Sequence, residues 1–136
     1  MKQEDKELLL TDLCARLPYN CKVTIAEGGI DGLQWNNVPL NSYLLYQIEE
    51  EDGWEYIKPY LRPMSSMTED EKGNVNDIID EFADRWLDSD VAKDKWYATF
   101  WQCSEIVNYL NSIHVDYRGL IEKGLAFEAP EGMYKH

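Results

Sequence analysis

The apolar residues of this chain change their period part-way along it, and that change restricts the fold more than any motif does. Cys21, Val23 and Ile25 alternate with Lys22 and Thr24, the two-residue period of a strand with one buried face. Val75, Ile78, Ile79, Phe82 and Trp86 recur at three-and-four spacing, the period of an amphipathic helix. A strand-rich first half and a helical second half predict the α+β class: an N-terminal helix, a small antiparallel β-meander, and a helical C-terminal half packed on the sheet. With 136 residues the chain fits one domain, residues 1–136, large enough for a core without disulfides or metals.

The expected elements run in this order. Leu9, Leu10, Leu13, Cys14 and Leu17 make one apolar face of a helix from Asp5 to Arg16, which Pro18 ends. After the first strand, Gly28, Gly29 and Gly32 permit a turn, and a short strand at Leu33 to Trp35 comes next. Tyr43 to Ile48 and Trp54 to Leu61 are rich in aromatic and β-branched residues, and the polar link Glu49 to Gly53 reads as their hairpin loop. Pro59 lacks a donor, which predicts an edge strand or a bulge. Ser66 or Thr68 with Glu69 or Glu71 forms a capping box. Gly73-Asn74 is expected to interrupt the helix it opens. A further helix spans Lys95 to Ile113 with Trp96, Phe100, Cys103, Val107 and Leu110 inward, and a short one spans Asp116 to Ala126 before an extended arm.

Charge excludes whole classes of partner. Twenty-six acidic residues against thirteen basic ones give −13, the wrong sign for binding phosphate backbones or anionic membrane surfaces. The charge is first a source of solubility and self-repulsion, and it leaves open a basic protein partner or competition for a DNA-binding surface. Cys14, Cys21 and Cys103 are odd in number with no C-x-x-C pair, the pattern of reduced thiols. The polar N-terminus has no signal-peptide core, and no apolar run reaches the ~18 residues of a membrane span. The expected compartment is the cytoplasm.

Motifs that carry chemistry are weak. Gly28-Gly29-Ile30-Asp31-Gly32 lacks both phosphate-loop spacings, and Asp88-Ser89-Asp90 with Asp94 lacks the glycine and final glutamate of a calcium loop. Neither a metal nor a cofactor is therefore expected. Asp77, Asp80, Glu81, Asp84 and Asp88 form an acidic ridge opposite the apolar stripe. Trp54, Tyr56 and Tyr60 share a strand face, as core packing or as a platform. His114-Val115-Asp116-Tyr117-Arg118 is the densest group of capable side chains, but no nucleophile motif stands beside it. A joint between helices, capped by Asp116, accounts for it better.

Two segments, Ile57 to Glu69 (IKPYLRPMSSMTE) and Asp116 to Ala126 (DYRGLIEKGLA), with the opening Leu13 to Tyr19 (LCARLPY), resemble stretches of uncharacterised proteins from gut bacteria and their phages. They cover about a quarter of the chain, and the acidic middle, Lys72 to Lys95, departs from the pattern. The resemblance implies a phage or mobile-element setting and no chemistry.

Three functions compete. The first is a non-enzymatic interaction module of phage or mobile-element type; the second, an acidic mimic of DNA that inhibits a host nuclease or regulator; the third, a small enzyme using His114, Asp116 and Arg118. Without an enzymatic motif or a basic patch, the first leads. Its candidate interaction residues are Asp77, Glu81, Asp84 and Asp88 on the ridge, with Tyr60, Arg62, His114 and Arg118.

Overall fold

A computed structural model describes residues 1–86 and 95–134, with the backbone alone at 82–86 and 95–100. The elements are α1 (Gln3–Arg16), β1 (Lys22–Ile30), β2 (Leu33–Pro39), α2 (Ser42–Glu50), β3 (Ile57–Pro63), α3 (Glu69–Trp86), α4 (Lys95–Ser112), β4 (Val115–Asp116) and β5 (Phe127–Glu128). The α+β class holds, with an N-terminal helix, a sheet, and two long helices after it.

β1 and β2 form a hairpin around Asp31 and Gly32, whose φ values of 51° and 68° are both left-handed. An Asp-Gly pair suits that turn because its backbone twist matches the strands it joins. Gly28, at φ 102°, sits where the β1–β2 register shifts between Ile25 and Ile30, so this glycine serves a bulge and not the turn.

The sheet is not a meander. Its order is β2-β1-β3-β4, with β5 also pairing β3. β1 is antiparallel to both β2 and β3, so β2 and β3 run the same way and need a crossover. That crossover is α2, which replaces the strand expected at Tyr43 to Ile48. Asn41 caps it by accepting the Leu44 N–H at 2.9 Å, and Leu44 and Ile48, four apart, are buried. The Glu49 to Gly53 link is consequently a helix end, where Gly53 N–H donates to the Ile48 carbonyl.

Nor is β3 an edge strand. Val23 pairs Pro59 and Thr24 pairs Lys58, while Ala26 N–H donates to the Tyr56 carbonyl at 2.9 Å. Even-numbered β1 residues therefore occupy hydrogen-bonded pairs, and Pro59 falls in a non-hydrogen-bonded one. Its missing N–H would point away from β1, to the side where pairing with β5 begins only at Tyr60, so no ladder bond is lost.

Three apolar clusters make the core. The largest joins Leu9 and Leu13 of α1 to Val23, Ile25, Ile48, Trp54 and Ile57. A second joins Cys21, Leu61, Leu120 and Leu125. The third, Leu110, Ile113 and Val115, receives Val75 from α3. Leu10, Cys14, Ile79 and Cys103, expected inward, are exposed. The packed residues of α4 and the residue just after it are Ile106, Tyr109, Leu110 and Ile113. α3 runs through Gly73-Asn74 unbroken, since Asn74 bonds outward to the Tyr109 hydroxyl at 2.9 Å and leaves the ladder intact.

Candidate functional site

The segment from Arg62 to Glu71 is the first place where charge is organised. Thr68 Oγ1 accepts the Glu71 N–H at 3.1 Å, and Glu71 Oε1 accepts the Thr68 N–H at 2.9 Å. This is the reciprocal capping box read from the sequence, with Thr68 and Glu71 as its members. Glu71 also takes both terminal nitrogens of Arg62 at 2.7 Å each. The Arg62 hydrogen bonds hold the Glu71 carboxyl well below the usual range, at about 2. Arg62, a candidate for partner contact, is thereby tied into the fold.

The His114 to Arg118 group is spread apart by the chain's path. Asp116 accepts the N–H groups of Leu120 and Ile121 at 3.0 and 2.9 Å, the capping role expected of it. The stretch after Asp116 is an irregular turn and not a helix, because Gly119 and Gly124 take φ values of 76° and 74°. Arg118 reaches back to Asp12 of α1 at 2.9 Å. His114 points elsewhere, stacking on Tyr134 with ring centres 3.7 Å apart, on the wall of a cleft that does not include Arg118.

Sequence reasoning missed the buried partner of Arg118. Asp12 and Arg16 lie on α1 and are fully buried, bonded at 2.8 Å, and Arg16 also donates to the Val115 carbonyl at 2.8 Å. Both guanidinium groups sit over the Tyr117 ring, at 5.3 and 4.7 Å. The i, i+4 spacing of Asp12 and Arg16 was the available signal, but on an exposed helix the same spacing means only a weak surface pair.

Two clefts of about 760 and 790 Å³ flank residues 130–134, and Pro130, Glu131, Gly132 and Tyr134 line both. Among the described residues, no group of three His, Cys, Asp or Glu side chains is placed to hold a metal ion.

No family model, curated protein or solved structure matches the chain.

The acidic ridge is carried by α3, on which Asp77, Asp80 and Glu81 are exposed. Asp84 is on the same helix with its side chain outside the described residues, as are the side chains of Phe82, Trp86, Trp96 and Phe100. Asp88, and the Asp88-Ser89-Asp90 stretch with Asp94, lie outside the described residues. Of the aromatic trio, Trp54 is buried and donates to Glu49 at 3.0 Å, while Tyr60 is half-buried and accepts from Thr24 Oγ1 at 2.8 Å. Trp54 precedes β3 and so does not share the strand face of Tyr60. Among the described residues no helix is long and apolar enough to cross a membrane.

Proposed function

We propose that the protein is a non-enzymatic interaction module of the cytoplasm, of the phage or mobile-element type its sequence resembles, and that it docks a basic face of another protein through α3. The observation that carries this reading is the exposure of Asp77, Asp80 and Glu81 along a helix whose Val75 packs on the Leu110 cluster. The three residues that would have served an enzyme are engaged in the scaffold: Asp116 caps a turn, Arg118 bonds to Asp12, and His114 stacks on Tyr134. Asp77, Asp80 and Glu81 are exposed, and charges so placed raise association rates and select against acidic partners more than they add affinity.

Such an interface weakens with salt, since exposed charges are screened beyond about 8 Å at physiological ionic strength. The test is capture from host lysate by the wild type and by an Asp77→Asn/Asp80→Asn/Glu81→Gln variant, with Glu4→Gln/Glu7→Gln on α1 as control. A captured protein that the triple variant loses, the control keeps and raised salt releases supports the reading. A capture profile indifferent to the triple variant sinks it.

A further inference from the structure

The β1–β3 ladder is completed by a side chain from the far end of the described chain. Pairing of Val23 with Pro59 and Thr24 with Lys58 sets Lys22 opposite Tyr60, and the alternation makes that a hydrogen-bonded pair. The Tyr134 hydroxyl lies between the two, accepting the Lys22 N–H at 2.8 Å and donating to the Tyr60 carbonyl at 2.8 Å. The Cys21 Sγ stands 3.7 Å from the same oxygen, and the Tyr134 ring stacks on His114 at 3.7 Å and 18°.

We propose that this gap is a binding site for a para-alkyl phenol, and that Tyr134 occupies it as a tethered ligand. The chemistry of the gap selects the class. One atom must accept from an N–H and donate to a carbonyl, which a hydroxyl does and a carbonyl or ammonium does not. A flat ring must lie on His114, whose orientation is set by a left-handed backbone at φ 64° and by its carbonyl accepting the Arg62 N–H at 2.8 Å. Burial holds the Tyr134 phenol above its ordinary range, so the hydroxyl keeps the proton it donates.

The tether is loose compared with the anchor. Ala129 N–H donates to the Leu61 carbonyl at 2.8 Å; beyond it, the one backbone bond among the described residues is internal, Met133 to Pro130 at 3.1 Å. Pro130, Glu131 and Gly132 form the wall between the two clefts, with Glu131 and Gly132 exposed, so the gap borders open space on either side of the tail. An external phenol, free or as a tyrosine in an extended peptide, has a path to it when Tyr134 is withdrawn.

The test empties the gap in the full-length chain by Tyr134→Ala and adds p-cresol. A ligand that binds only the folded state raises the melting temperature, and at ten times its Kd the expected rise is about 4 °C or more. The wild type, with its site filled, gains nothing comparable, and toluene, lacking the hydroxyl, gives less than p-cresol. Equal shifts for wild type and variant, or equal shifts for toluene and p-cresol, overturn the proposal. A peptide of sequence Pro-Glu-Gly-Met-Tyr-Lys binding the variant more tightly than p-cresol assigns the natural source to a peptide; equal binding assigns it to a free phenol. Should Tyr134→Ala not fold, Tyr134→Phe keeps the ring and removes the two hydrogen bonds. Lys22 amide exchange then quickens about tenfold relative to Val23, and an unchanged Lys22 rate overturns the proposal.

Discussion

Replacing Glu71 by Gln removes one charge from a group that performs three tasks, and the structure fixes how the cost varies with pH. The Glu71 side chain is 9 % exposed and that of Arg62 14 %, so the pair is only weakly screened by solvent. With a folded pKa of about 2 against an ordinary 4.5, ionisation of this carboxyl stabilises the fold by at most about 3 kcal/mol. The sign comes from the depressed value. The contribution is present above pH 4.5, where both folded and unfolded states are ionised, and it fades as pH falls towards 2. At pH 3 the same relation leaves about 1.4 kcal/mol, less than half. Urea denaturation of wild type and Glu71→Gln at pH 6 and pH 3 measures this directly, since subtraction cancels every other titrating group. The expected gap is about 1–3 kcal/mol at pH 6 and about half that or less at pH 3. A gap below about 1 kcal/mol at pH 6, or one independent of pH, refutes the role given to the Arg62–Glu71 pair.

Asp12→Ala leaves Arg16 fully buried without its carboxylate, and the expected loss by urea denaturation is about 3–5 kcal/mol, against about 1 kcal/mol for a surface pair. Asp116→Ala strands the N–H groups of Leu120 and Ile121, for a loss of about 1–3 kcal/mol with the Leu120 cluster loosened first in hydrogen exchange. Gly29→Ala places a Cβ 2.6 Å from Ile25 Cγ2 and 2.8 Å from Tyr56 Cβ, an overpacking worth about 1–3 kcal/mol in the same assay. Thiol titration of the native protein should show Cys14 and Cys103, both exposed, reacting fast and Cys21 slowly, because burial pushes the Cys21 thiol up to about 11; all three react at once after unfolding.

The fold is legible in the sequence wherever one residue pattern answers to one physical demand. Alternation at Cys21, Val23 and Ile25 predicts β1, and all three are buried. The Thr68 and Glu71 box and the Asp116 cap are local hydrogen-bonding solutions, readable at a spacing of three to five residues. α2 reads as a strand because Tyr43, Tyr46 and Ile48 are of strand-favouring types, although Asn41 with Leu44 and Ile48 carries a helical signature. The pairing of Asp12 with Arg118 and of Tyr134 with β1 spans 106 and 112 residues. No local pattern encodes either, so the charges of α1 look like those of an ordinary solvated face.

The distance of those partners along the chain also bears on the order in which the protein can assemble during synthesis. α1 is made early, yet the acceptor for Arg16 is the carbonyl of Val115 and the second cation on Asp12 is Arg118. Until that late segment emerges, burying α1 would strand a charged donor in an apolar setting, which is costly. The helix therefore gains its full set of partners only once that segment has emerged. Its docking coincides with closure of loops of about 100 residues, a non-local step of the kind that slows folding.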